Sequence, residues 1–366
     1  MGPIKKTIDY KKDVPSTTWK EWKKDKSVRK KKREEKLLAS LDEAHQAEAL
    51  VTADDAEQEE HIGRTWTVSM ALPGNILDNA QTAELKTLLA GQIARAAAIF
   101  NVDEIVVFNE DGSLKQQSSE DEELTGADMP RSCLQLARIL QLLECPQYLR
   151  KYFFPTHPDL RCAGLLNPLD SPHHYRKDDK AQFREGCVLE KTKNKKLSMV
   201  DVGLQRPIPV DTLLTPGLRV TVEVFDPPDG NLKQRRGKVV SPTTPQLQTG
   251  TYWGYSVRLA SSLGAVFTQC PYPEGYDVLV GTSERGGKVP KKFSKFQHLL
   301  IAFGGLRGLE LGLESDDSLS VDEPSLLFDH YLNTCPNQGS RTIRTEEALL
   351  VTLTTLAPVI KRSQQQ

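Results

Sequence analysis

Three apolar strands crowd into the last third of this chain, and each runs directly into small or polar residues. Tyr276-Asp277-Val278-Leu279-Val280 leads into Gly281-Thr282-Ser283-Glu284-Arg285-Gly286-Gly287, and Leu299-Leu300-Ile301-Ala302-Phe303 into Gly304-Gly305-Leu306-Arg307-Gly308. The third, Ser325 to Leu332, leads into Asn333-Thr334-Cys335-Pro336-Asn337-Gln338-Gly339, after which Leu349, Leu353 and Leu356 recur at helical spacing until Pro358. Near-continuous apolar strands belong to parallel sheets covered on both faces. Ligands of such sheets bind beyond the carboxyl ends of the strands, where glycine lets backbone approach them closely. Thr345 is placed to cap the following helix, with Glu346 and Glu347 in its first turn. The alternative is a set of ordinary turns in which Arg341 and Arg344 are solvated.

The front of the chain reads as a βαβ unit. Trp66 to Pro73 forms a strand, Leu85, Leu88, Leu89, Ile93 and Ala97 mark a long helix, and Glu104 to Phe108 forms a second strand. Neither G-x-G-x-x-G nor GxxxxGK[ST] occurs, so no Rossmann pyrophosphate site or P-loop is supported. Taken together, the three glycine-bearing loops resemble the cofactor site of the SPOUT RNA methyltransferases. The helical segment Gly91 to Val102, with Arg95, is similar to the first motif of that family. The asparagine that the family carries ahead of this arginine has no counterpart, since Asn79 is too distant in sequence.

The resemblance covers most of the chain after its amino-terminal tail, and it implies an α/β fold: a trefoil-knotted parallel sheet with helices on both faces. Such knots are otherwise nearly absent from proteins. It further implies S-adenosylmethionine as cofactor, held by Thr282, Arg285, Gly304, Gly305, Leu332, Asn333, Thr334, Gln338, Gly339 and Ile343. Arg95, Arg344 and Glu346 would serve the acceptor, a base nitrogen or ribose oxygen of structured RNA, above all ribosomal RNA. For Arg95 the competing reading is a surface arginine whose stem covers apolar neighbours. A homodimer sharing its RNA site between subunits is implied as well. Within the family the chain looks nearest to a eukaryotic branch associated with the centromere and mitotic spindle. That gives a second expectation, an adaptor for spindle or centromere proteins, and a nuclear or cytoplasmic location.

Between the two halves the pattern changes. Short β-rich pieces at Gly186 to Leu189, Met199 to Val202, Leu218 to Val224, Gly237 to Val240 and Tyr252 to Arg258 alternate with proline, glycine and polar turns. Five short strands at this spacing predict a small OB-like barrel inserted into the methyltransferase domain. On it Tyr252, Trp253, Tyr255, Arg219, Lys238 and Arg258 would form a face for single-stranded RNA, unless the aromatics fill the core instead. The expected divisions are a tail over 1–63, the two parts of the methyltransferase domain over 64–180 and 261–363, and the barrel over 181–260.

A net charge of −1 conceals a polarised chain. Twelve Lys and two Arg face six acids up to Leu37, giving +8, whereas Leu41 to Glu60 holds eight acids and no Lys or Arg. Trp19 and Trp22 interrupt the basic run, which reads as a solvated tail or as an RNA-binding arm. Asn109 to Met129 reads as an exposed acidic linker, and Leu134 to Leu143 as a core helix ending before Pro146. The six cysteines form no CxxC pair and the seven histidines no HExxH, so neither a disulfide framework nor a metal site is expected. No apolar run is long enough to span a bilayer.

Overall fold

A computed structural model describes residues 63–111, 129–190, 197–227 and 234–365, with positions 24, 25, 28, 29 and 32. The expectations for Trp19, Trp22 and most of the acidic linker lie outside these described residues. The sheet strands are β1 (Thr67–Pro73), β2 (Glu104–Phe108), β8 (Ser256–Ala260), β9 (Val278–Gly287), β10 (His298–Ala302) and β11 (His330–Leu332). All six pair in parallel, in the order β11-β9-β10-β1-β2-β8. Because side chains alternate across a strand, the strands divide the core in two. Val68, Met70, Leu72, Ile105, Val107, Leu299 and Ile301 pack on one side, while Ala71, Val106, Phe108, Leu300 and Ala302 pack on the other.

Helix α1 (Ala83–Ile99) starts at Thr82, whose hydroxyl accepts from the Leu85 amide at 3.3 Å. Its buried face is Ala90, Ile93, Ala94 and Ala97. Leu85 and Leu88, which mark the helix in the sequence, are 51% and 42% exposed. Alanines allow a closer approach to α2 (Arg131–Glu144) than leucines would, and the leucines are left outside. The last helix, α3 (Thr345–Gln364), does not stop at Pro358. Val359 and Ile360 are buried beyond the proline, so packing carries the helix through it.

The segment between β9 and β10 closes over the end of α3. Phe293 N–H donates to Ser363 Oγ (2.8 Å), Arg362 Nε to the Lys291 carbonyl (2.8 Å) and Gln364 Nε2 to the Phe296 carbonyl (2.9 Å). The loop between β9 and β10 thus holds the end of the last helix.

The barrel is closed in the order β3-β4-β5-β7-β6, with strands β3 (Phe183–Val188), β4 (Ser198–Asp201), β5 (Ile208–Val210), β6 (Arg219–Phe225) and β7 (Arg236–Val240). Val188, Val200, Val202, Ile208, Val210 and Val222 fill it. Closure brings Val210 beside Gly237, where a Cβ would lie 2.4 Å from Val222 Cγ1 and 2.9 Å from Ile208 Cδ1. The fifth barrel strand is therefore Ile208–Val210, too short to stand out in sequence, and not Tyr252 to Arg258. Ser256–Ala260 instead completes the large sheet beside β2.

That difference removes the aromatic RNA face expected on the barrel. Tyr252, Trp253 and Tyr255 are 6%, 8% and 5% exposed. Tyr252 Oη donates to the Val102 carbonyl (2.7 Å), Tyr255 Oη to the Leu140 carbonyl (2.9 Å) and Trp253 Nε1 to Glu185 (2.6 Å). Arg258 pairs with the buried Glu104 at 2.9 Å. Arg219 forks onto Glu144 at 2.7 and 2.9 Å while its Nε donates to Glu185 at 2.7 Å. Of the expected set, Lys238 is exposed. Burial alone would raise the Glu144 carboxyl, but the Arg219 guanidinium overrides it and holds that group well below the usual carboxylate range. The Arg219–Glu144 pair fastens the barrel to the end of α2.

Candidate cofactor and RNA site

The three sequence loops do converge at the carboxyl ends of β9, β10 and β11, but they are built differently from simple turns. β9 runs on through Gly287, and the register with β11 jumps from Tyr331–Gly281 to Leu332–Gly287, so residues 282–286 bulge out of the sheet. Thr282 Oγ1 ties the bulge to the Ala302 carbonyl at 2.9 Å. Arg285 is exposed and lies 3.6 Å from Glu310. The third strand is shorter than its apolar run. Pro324 starts a helical turn over Pro324–Leu326, and only His330–Leu332 joins the sheet.

Leu332 is buried and Asn333 locks two loops together. Asn333 N–H donates to the Gly287 carbonyl (2.8 Å), its Nδ2 donates to the Glu284 carbonyl (2.8 Å), and its Oδ1 accepts from Cys335 N–H (3.0 Å). Thr334 Oγ1 lies 2.7 Å from Thr352 Oγ1 on α3. Gln338 and Ile343 are half-buried and Gly339 is exposed, while the left-handed residue of this loop is Asn337, at φ 64°. Thr345 is not the cap. Arg344 holds that position through reciprocal bonds with Glu347, both 3.0 Å, and Thr345 Oγ1 instead donates to the Gly304 carbonyl at 3.0 Å. Arg344 is exposed and Glu346 half-buried at this mouth.

The middle loop turns on itself, with Gly308 N–H donating to the Gly305 carbonyl (3.1 Å) and Gly308 at φ 76°. A Cβ on Gly304 would sit 2.2 Å from Gly308 C, and one on Gly286 2.2 Å from Leu332 C. Both glycines are thus required by backbone packed behind the loops. In front there is room: a Cβ on Gly339 would meet nothing within 4 Å, and Leu306 is 84% exposed. The loops are thus closely packed at Gly286 and Gly304 and open to solvent at Gly339 and Leu306.

Sequence reading missed the group beneath Gly305. Glu110 is 2% exposed, accepts from Gly305 N–H at 3.0 Å and from Asn75 Nδ2 at 2.8 Å, and burial pushes its carboxyl upward. A Cβ on Gly305 would lie 2.4 Å from Glu110 Oε2, so this glycine meets a carboxylate as well as the open mouth. The available signal was positional: Glu110 follows β2 at its carboxyl end, the edge on which the other loops lie.

Arg95 stands apart from this cluster. Its Nη1 donates to the Leu169 carbonyl at 2.6 Å, and it lines a separate cavity of about 210 Å³ with Ile99, Asp170 and Ser171.

Residues 67–356 match a family model described as "Putative RNA methyltransferase". The chain is 54% identical over 316 residues to the 28S rRNA (uridine-N(3))-methyltransferase of Homo sapiens, covering 86% of this chain and 84% of that protein. It is 47% identical over 353 residues to the Drosophila melanogaster protein of the same name, covering 93% and 73%. Among solved structures, it is similar to the SpoU methyltransferase AviRb of Streptomyces viridochromogenes in complex with AdoMet, at 12% identity and a TM-score of 0.30 over 83% of this chain and 62% of that one.

Proposed function

This chain belongs to the SPOUT RNA methyltransferases, and from that premise we propose that it methylates N3 of a uridine in the RNA of the large ribosomal subunit. It is an S-adenosylmethionine-dependent enzyme. The single observation that carries the finer assignment is the identity to uridine-N3 enzymes across nearly the whole chain, barrel and loops included.

Uridine N3 lies on the Watson–Crick edge, so the acceptor has to be unpaired when it reaches the site. Bound in the three loops, the cofactor supplies a methyl group already activated on a sulfonium. The chain's own task is then positional and electrostatic: to present N3 to that methyl, take up the N3 proton as the new N–C bond forms, and exclude water. Thr282, Arg285, Gly304, Gly305, Leu332, Asn333, Thr334, Gln338, Gly339 and Ile343 hold the cofactor in this proposal. Glu346 at the mouth accepts the proton, and Arg344 holds the acceptor nucleotide there. Glu110 acts from below by fixing the Gly305 amide.

The proposal extends to a two-fold homodimer pairing through α1 and α3. Exposed Leu85 and Leu88 on α1 and Leu350 (42% exposed) on α3 support it, since single faces of this kind are buried by self-complementary pairing. A nuclear or cytoplasmic location and contacts at the spindle rest on the family resemblance alone.

The test uses purified full chain, S-adenosylmethionine and a large-subunit rRNA transcript, followed by mass spectrometry of the digested nucleosides. 3-Methyluridine is the expected product. A 2′-O-methyl nucleoside would refute the acceptor assignment, and an unmodified transcript the activity.

A further inference from the structure

Away from the cofactor loops, residues 168–177 form a strap between the sheet domain and the barrel, with a cavity on each side. On one side is the cavity of about 210 Å³ at Arg95. On the other is a larger one of about 490 Å³, lined by Tyr148, His174, Tyr175, Arg176, Lys177 and the barrel's Gly203. Asp170 lines both, so the two cavities adjoin along the strap. The strap is fixed rather than loose. Arg95 binds the Leu169 carbonyl at 2.6 Å, His174 Nε2 lies 2.6 Å from the Glu144 carbonyl, and Arg184 Nη2 donates to the Arg176 carbonyl at 2.8 Å.

Three features of these cavities point to one kind of occupant. Ser171 is 7% exposed, and its buried hydroxyl has no hydrogen-bond partner although the residue lines the Arg95 cavity. Buried polar groups are normally satisfied, so this hydroxyl takes its partner from a water or from a ligand group. Arg176 and Lys177 are exposed, and among the described residues neither side chain has an ion-pair partner. Tyr148 and Tyr175 add aromatic rings to the same cavity. Aromatic faces for bases, cations for phosphates and a hydroxyl suited to a 2′-OH are the recognition set of single-stranded RNA. Asp170 opposes phosphate and suits a base N–H or a 2′-OH as donor.

We propose that the 168–177 strap is a second RNA-binding site, in which unpaired nucleotides flanking the target run from Arg95 past Ser171 into the Tyr148–Tyr175 cavity. This rests on the RNA methyltransferase reading. It gives the isolated Arg95 a role as the inner end of an RNA path, and it moves the barrel's contribution from its buried aromatics to its junction with the sheet domain.

The full chain serves for the test, titrated with a fluorescein-labelled single-stranded 12-mer of uridine and with its deoxyuridine counterpart over a range of KCl concentrations. Arg176→Ala with Lys177→Ala is expected to weaken RNA binding about tenfold and to reduce the salt slope by about 1.4, the value for two lost single-strand phosphate contacts. Calorimetric affinity for S-adenosylmethionine should stay unchanged. Ser171→Ala should narrow the preference for the RNA over the DNA oligonucleotide. RNA affinity and slope equal to wild type in the double variant, with wild type still methylating RNA, would overturn the site and hand the cavities to another occupant such as an acidic peptide. A wild-type chain that neither binds nor methylates RNA would instead refute the function, and the site with it.

Discussion

Alanine at position 304 is expected to weaken S-adenosylmethionine binding by roughly 10- to 100-fold. The added Cβ meets backbone, at 2.2 Å from Gly308 C and 2.5 Å from Leu309 N, so the turn from Gly304 to Gly308 has to open. Opening it also strains the Thr345 bond to the Gly304 carbonyl, which joins the middle loop to α3. Overpacking of this kind costs about 1–3 kcal/mol. If that cost falls on the binding-competent loop, affinity drops by roughly 10- to 100-fold. Gly339→Ala is the informative contrast, because its Cβ meets no protein atom within 4 Å. Its melting temperature should match wild type while cofactor affinity falls, since the space it fills belongs to the ligand. Calorimetric titration beside melting curves separates the two cases. Wild-type cofactor affinity in a folded Gly304→Ala chain would show that the loops are not the pocket.

Glu144→Ala should be the most destabilising single change at the barrel junction. Removing the carboxylate deprives Arg219 of its forked partner and leaves it with Glu185, which Thr221 and Trp253 already engage. Breaking one side of a buried pair costs about 3–5 kcal/mol. For a domain of this size that lowers the melting temperature by roughly 10 °C. Glu144→Gln, which keeps the shape and part of the hydrogen bonding, should lose less. Melting of Glu144→Ala within a degree or two of wild type would mean that the barrel is held by its apolar contacts alone.

The sheet was legible because its signal is chemical: Leu299 to Ala302 and Ile105 to Phe108 are apolar on both faces, as only covered parallel strands are. The loops were legible through glycine, as Gly286 and Gly304 stand where backbone leaves no space for a Cβ. Less visible was anything set by tertiary partners. Tyr252, Trp253 and Tyr255 stand in a short polar and glycine-containing stretch, and nothing local reveals that Val102, Glu185 and Leu140 accept hydrogen bonds from their polar atoms. Glu110 was hidden for the same reason, since its role depends on Gly305, far along the chain. Pro358 misled because local propensity was overridden by the burial of Val359 and Ile360.

Methyl transfer to uridine N3 of ribosomal RNA, proposed for these loops, is checked by measuring 3-methyluridine, by nucleoside mass spectrometry, in large-subunit rRNA from cells lacking the chain and from the same cells re-expressing wild type or Gly304→Ala. The modified nucleoside is expected to be lost in the deletion, to return with wild type, and to stay absent with Gly304→Ala expressed at the same level. Persistence of 3-methyluridine in the deletion, or equal restoration by both forms, would refute this function for the loops.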